Sequence, residues 1–254
     1  MSWSYYNTGA KTGLFNMNLD IALAGNIRES GNVFRLYRWE PYCISLGANQ
    51  SEEILDHEKL KEHGIDFVKR PTGGRAILHS QELTYSVIIP LQQYDSPRKI
   101  YHDINCALKA GLILFDDRLN DIQLESDQPD FREQYRNMIS AACFAVPAKS
   151  ELKFQGKKLA GSAQRKLGNV ILQHGSILCG SDHLNLVNFL KLQQADKIRL
   201  YEKMKRTTTD LGEIVSFNEE YNRLADCLAN GFENYFGIKF KRFQLEENPA
   251  SLFF

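Results

Sequence analysis

The chain has 254 residues, 43% hydrophobic and 24% charged, which is ordinary for a globular protein and enough for a substantial core. Lys+Arg and Asp+Glu both total 31, so the net charge is zero and no nucleic-acid partner is expected. No apolar run reaches the ~18 residues of a membrane span, and the start, MSWSYYNTG, has neither the basic nor the apolar region of a signal peptide; a cytoplasmic protein without membrane contact is expected. The five cysteines, Cys43, Cys106, Cys143, Cys179 and Cys227, have no CxxC spacing, and the six histidines form no HExxH grouping. Neither a metal site nor a disulfide framework is expected, and a reducing compartment fits.

Met17, Ile21, Ala24 and Ile27 recur at helical spacing, with Gly31 placed to cap the helix. VFRLYRW (33–39) and CISLG (43–47) read as strands around a turn at Pro41. Ser51 opens a helix through SEEILDHEKLKEHG, with acids in its first turn and Gly64 at its end. IDFVKR (65–70) is a strand, Pro71–Gly74 a turn and LTYSVIIP (83–90) a further strand. Ser96-Pro97 starts a helix in which Ile100, Ile104, Leu108 and Leu112 follow at intervals of four. The polar, acidic stretch from Asp116 to Asn137 reads as a long surface loop.

ELKFQGKKLAGS (151–162) reads as a hairpin turning at Gln155-Gly156, and NVILQHGSIL (169–178) as the next strand. Asp182 is placed to cap HLNLVNFLKL, and Asn218 to cap a helix carrying Tyr221, Leu224, Leu228 and Phe232, ended by Gly237. IKFKRFQL (238–245) is the last strand. Strands interleave with helices, and hairpins outnumber βαβ units. An α+β fold with a mixed or antiparallel sheet and flanking helices, forming one domain over 1–254, is expected.

Three constellations stand out. In VKRPTGGRAILHSQELTYSV (68–87), paired glycines permit positive φ and close backbone approach, and Arg70 and Arg75 favour a polar or anionic ligand. The segment lacks the GK[ST] ending of a phosphate loop and is not GxGxxG. By itself it reads equally as a tight turn with solvated arginines, and His79 by itself as a structural histidine. In ISAACFAVP (139–147), Cys143 among small residues is either a small buried hydrophobe or a thiolate nucleophile with a cation nearby. In GKKLAGSAQRKLGNVILQHGSIL (156–178), alternation exposes Lys157 and turns Lys158 inward, where an unused lysine is costly. Gly161 and Ser162 permit close backbone approach there, and His174 reads as a hydrogen-bonded structural histidine.

In order on one chain, LYRWEPYCISLGANQ, VKRPTGGRAILHSQELTYSV, AACFAVP, GKKLAGSAQRK and ILQHGSIL strongly resemble the biotin/lipoate protein ligase superfamily. Within it the resemblance is to the cysteine-dependent octanoyltransferases, from about Leu14 to Leu245. It implies a mixed sheet with flanking helices, as in the catalytic core of biotin ligases and class II aminoacyl-tRNA synthetases. It places Arg70, Gly73, Gly74 and His79 in the substrate loop, which walls an acyl tunnel, and Gly161 and Ser162 in substrate binding. Cys143 becomes the acyl-thioester nucleophile, and Lys158 the residue that lowers its pKa and positions the carbonyl. The implied reaction takes octanoyl from acyl carrier protein to Cys143. From there it passes to a lysine of a lipoyl domain (glycine cleavage H protein or 2-oxoacid dehydrogenase E2), with no cofactor. Ala148 and Lys149 after Pro147, and Ser80 after the histidine, depart from the family pattern. The competing readings are an ATP- and Mg-dependent lipoate–protein ligase and an amidotransferase between lipoyl domains. The cysteine and the GSAQ sequence speak against the ligase.

Overall fold

The computed structural model describes residues 2–27, 31–94, 96–124 and 151–243. In chain order the elements are β1 (Trp3–Lys11), α1 (Gly13–Gly25), β2 (Asn32–Trp39), β3 (Cys43–Leu46), α2 (His57–Glu62), β4 (Asp66–Lys69), β5 (Ile77–His79) and β6 (Glu82–Pro90). They continue with α3 (Pro97–Phe115), β7 (Gln123–Leu124), β8 (Leu152–Phe154), β9 (Lys157–Lys158), β10 (Ala160–Leu167) and β11 (Val170–Leu178). The last are α4 (Gln194–Thr207), α5 (Leu211–Val215), α6 (Tyr221–Phe236) and β12 (Phe240–Phe243).

A six-stranded sheet in the order β10-β11-β6-β2-β1-β12 forms the centre. β1 runs parallel to both β2 and β12, whereas β2, β6, β11 and β10 pair antiparallel, so the sheet is mixed. Alternation along the strands divides its faces. Leu83, Tyr85, Val87 and Ile89 of β6 join Phe34 and Leu36 of β2 in a core closed by Ile104 and Leu108 of α3 and Leu228 and Phe232 of α6. Gly111 and Gly231 bring α3 and α6 together at backbone distance; a Cβ on Gly231 would fall 2.2 Å from the Gly111 nitrogen. The opposite face packs Val33, Ile88 and Leu172 on Leu19 and Leu23 of α1. A smaller sheet, β4-β3-β5, lies beside it over a second core that includes Ile44, Leu46, Leu78, Leu200 and Met204. The hairpin β8–β9 turns at Gln155 (φ 48°) and Gly156 (φ 79°), the double positive φ of a two-residue hairpin turn.

Several expectations are corrected. β1 and α4 carry weak sequence signals: β1 mixes serine, threonine and asparagine with aromatics, and α4 buries only Leu200 and Met204. The helix expected from Ser51 is a 3-10 turn capped by Ser51, followed by α2 with Asp56 as its cap. Asp182 and Asn218 cap nothing. The 181–189 segment is a 3-10 helix opened at Gly180, and α6 opens at Glu220 without a side-chain cap. The expected loop after Asp116 begins with a 3-10 turn, Asp117–Asp121, and the strand β7; its part from 125 on lies outside the described residues. In α1 the phase differs: Ile21 is exposed, while Asn16 and Asp20 are fully buried.

That phase is set by an ion pair. Arg35 NH1 donates to Asp20 Oδ1 at 2.7 Å with both side chains fully buried, and its remaining donors reach Thr8 Oγ1, the Asn16 carbonyl and Asn16 Oδ1. Burial alone would raise the Asp20 carboxyl, but Arg35 and the hydrogen bonds around it outweigh this and hold it below the usual range. Removing one member leaves the other charge buried alone. Arg35→Met is therefore expected to cost roughly 3–5 kcal/mol of unfolding free energy, read by urea denaturation. A loss below about 1 kcal/mol would contradict this assignment.

Candidate active site

The strand registers build the floor of the site. Arg35, Ser86, His174 and Ala163 stand opposite one another on β2, β6, β11 and β10, and Tyr37, Thr84, Ser176 and Gly161 form the next row. Because successive residues on a strand point to opposite faces, these residues lie two apart on each strand and share the α1 face. Over this floor lies a narrow pocket whose cavity volume is about 20 Å³. Tyr37, Trp39, Thr84, His174 and Ser176 line it from below, Met17 of α1 from one side, and Ser45, Arg70, Ile77 and His79 from the smaller sheet and its loop.

Four of the expected site residues, Arg70, His79, Gly161 and Ser162, line this pocket. Arg70 is turned inward and holds its own loop: it donates to the Ser45 carbonyl and hydroxyl and to the carbonyls of Gly73 and Arg75. Gly74 has φ 98°, a conformation that L side chains rarely adopt, and its carbonyl presses on Gly47, where a Cβ would fall 2.0 Å from that oxygen. Gly73 is exposed at the turn. Lys158 does not line the pocket. Its Nζ lies 2.9 Å from Glu151 Oε2, both side chains are nearly fully buried, and Glu151 Oε1 accepts the Ser162 N–H at 3.4 Å. The Lys158 ammonium is thus connected to the pocket strand through one carboxylate. Cys143 lies outside the described residues.

The polar side chains around the pocket bond to one another. His79 Nδ1 meets Glu82 Oε1 at 2.7 Å and its Nε2 meets Ser45 Oγ at 2.7 Å, while Trp39 stacks on the imidazole at 3.9 Å. Thr84 and Ser176 also donate to Glu82 Oε1, and Trp39 Nε1 donates to Thr84 Oγ1. Tyr37 donates to Asp20. The Tyr85 hydroxyl, pushed up to about 12 mainly by burial, accepts from Gln173 and shares a hydrogen bond with Ser162 Oγ at 2.6 Å. His174 Nε2 meets Thr72 Oγ1 at 2.6 Å, and its Nδ1 faces Asp20 Oδ2 at 3.7 Å, tying the Gly-Gly turn to α1. A proton on Nδ1 suits Asp20 and leaves Nε2 to accept the Thr72 hydroxyl.

Glu82, Glu151, Ser45 and the Asp20–Arg35 pair are missing from the sequence-based site. Of these only Arg35 had a local signal, the phase of polar residues in RLYRW, LTYSV and ILQHGS, which places polar side chains on one face of three neighbouring strands. No group of three or more His, Cys, Asp or Glu side chains among the described residues is placed to hold a metal, and no helix among them is long and apolar enough to cross a membrane.

His174 provides a test of the pocket's polar frame. Burial, opposed by Asp20, holds its imidazole below the usual value. Between the folded value and the unfolded value of about 6.5, the unfolded chain binds more protons, so this contribution is full above pH ~6.5 and is lost as pH falls through the folded value. Unfolding free energies measured from pH 7.5 down to 5 are expected to fall less steeply in His174→Gln than in the wild type. Parallel curves would remove His174 from the linkage.

Residues 12–233 match the family model described as the Lipoyl protein ligase A/B catalytic domain. The octanoyltransferase LipM of Anoxybacillus flavithermus is 34% identical over 256 residues, covering 97% of this chain and 90% of that protein. The octanoyltransferases LipM of Staphylococcus aureus and Bacillus subtilis are 32% and 30% identical, each over 97% of this chain and 91% and 90% of their own. Among solved structures, a lipoate-protein ligase A bound with ATP superposes with a TM-score of 0.74 at 21% identity, covering 99% of this chain and 92% of that one. A bi-partite lipoate protein ligase from Thermoplasma acidophilum gives 0.73 at 19% identity over 99% and 91%. At these identities the two structures speak for the fold alone. The family match covers the pocket strands, the Gly-Gly turn and the Lys158 hairpin together, and the chain belongs to the Lipoyl protein ligase A/B catalytic domain family.

Proposed function

We propose that the chain takes an octanoyl group from acyl carrier protein onto Cys143 as a thioester and passes it to a lysine of a lipoyl domain. The enzyme class is acyltransferase, acting in octanoyl transfer for protein lipoylation. The observation that carries this is similarity to octanoyltransferases at 30–34% identity over nearly the whole chain. Acyl-carrier and lipoyl-domain substrates follow in general terms; glycine cleavage H protein and 2-oxoacid dehydrogenase E2 are the acceptors proposed.

In the first step the Cys143 thiolate attacks the carrier thioester carbonyl, the new C–S bond forms, and the carrier thiolate leaves with a proton from solvent. In the second, the acceptor lysine amine attacks the enzyme thioester, the amide forms, and Cys143 leaves as thiolate while the amine's proton goes to solvent. Exchange between thioesters is nearly isoenergetic and amide formation is downhill, so ATP and Mg are not needed. Burial of an octanoyl chain would supply about 5 kcal/mol at ~0.8 kcal/mol per methylene. Lys158, already held against Glu151, supplies the cation that favours the Cys143 thiolate and the carbonyl oxygen. The four described cysteines support the choice of Cys143. Burial is the main cause pushing the Cys43, Cys106, Cys179 and Cys227 thiols up, away from nucleophilic use.

After exposure to octanoyl-acyl carrier protein without acceptor, mass spectrometry is expected to show one octanoyl group, mapped to Cys143 and labile to hydroxylamine. Cys143→Ala should lose both the adduct and the transfer; an active Cys143→Ala would contradict the covalent route. Lys158→Ala is expected to raise the thiol's pKa, read as a shift of iodoacetamide alkylation of Cys143 to higher pH. Superimposable alkylation profiles would restrict Lys158 to the carbonyl.

A further inference from the structure

The pocket is lined by many polar residues, yet among the described residues the polar side chains Ser45, Arg70, His79, Thr84 and Ser176 already bond to protein partners. Arg70 only donates, so its NH1 bond to Ser45 Oγ at 3.0 Å directs the serine proton to His79 Nε2. The imidazole proton on Nδ1 then goes to Glu82 Oε1, which also receives the hydroxyls of Thr84 and Ser176. Hydrogen bonds run in one direction from a guanidinium to a carboxylate, and the lining side chains along this chain each have a protein partner. Glu82 Oε2 is buried without a partner, but Glu82 is not among the lining residues.

We propose that this closed wall selects saturated acyl chains against chains of the same length that carry a hydroxyl or keto oxygen on the same carrier. Ser45 sets the selection, because it occupies the His79 nitrogen that would otherwise face the chain. The proposal rests on the octanoyl reading above and adds what the pocket refuses. A hydroxyl entering the pocket gives up its hydrogen bonds to water and meets, among the described residues, polar side chains already committed to one another. A pocket of this kind discriminates against an added hydroxyl by up to about 100-fold. In Ser45→Ala the His79 Nε2 lone pair is released toward the pocket, and a substrate hydroxyl can take the place of the serine.

The test compares octanoyl- and 7-hydroxyoctanoyl-acyl carrier protein as donors to an apo lipoyl domain, because a hydroxyl near the chain end must enter the pocket. The wild type is expected to favour octanoyl by about 10- to 100-fold in kcat/KM. Ser45→Ala is expected to narrow that preference at least about threefold, whatever its absolute rate, through gained turnover of the hydroxylated donor. Wild-type constants within about twofold of each other overturn the proposal without help from any variant, so it stays falsifiable if Ser45→Ala does not fold. An unchanged ratio in a Ser45→Ala protein with a cooperative unfolding transition overturns the role of Ser45. Failure to transfer either chain would instead overturn the octanoyl reading on which the proposal stands.

Discussion

The buried ion pair between Asp20 and Arg35 fixes the relation of helix, sheet and loop. Burying two charges is costly unless geometry and hydrogen bonding are nearly complete, and here they are. Asp20 faces Arg35, Tyr37, Ser86 and His174, while Arg35 also donates to Thr8 Oγ1 and to the backbone and side-chain oxygens of Asn16. Those partners come from α1, β1, β2, β6 and β11. Rotating α1 by one residue would strand a charge, so the helix has one allowed seat on the sheet. His174 extends the constraint to Thr72, and thereby to the Gly-Gly turn that follows it.

The same chemistry treats the two parts of the site differently. Around the pocket proposed for the acyl chain, the described polar side chains bond to one another. At Lys158 the arrangement is a charge pair with a single carboxylate, close to the strand that lines the pocket. β10 connects the pocket and the Lys158–Glu151 pair through Ser162.

Much of this was legible in the sequence, and for definite reasons. Gln155-Gly156 can hardly be anything but a tight hairpin turn, and alternation across it already distinguished half-exposed Lys157 from buried Lys158. The spacing of Ile100, Ile104, Leu108 and Leu112 marked the inward face of α3, where all four are fully buried. What was missed depended on long-range pairing. Hydrophobic spacing put Met17, Ile21, Ala24 and Ile27 on one face of α1, because a buried Asn16 and Asp20 look like solvent-facing residues until Arg35 is seen opposite. Glu151 and Glu82 gave no local signal, since each acts through a partner on another strand or beyond a turn. Arg70 read as a ligand-facing cation, whereas its guanidinium bonds Ser45 and the carbonyls of its own loop. Gly73 and Gly74 were recognisable as a turn, but only the fold shows that Gly74 takes φ 98° and that its carbonyl leaves no room for a Cβ on Gly47.

Covalent transfer without adenylation is the central claim, and nucleotide dependence separates it most directly from the ligase chemistry that the same fold supports. Purified protein incubated with octanoyl-acyl carrier protein and an apo lipoyl domain, in the absence of ATP and Mg, is expected to yield octanoylated domain at the rate seen when both are added. Product that forms only with ATP and a free acid, and none from the carrier thioester, would contradict the account.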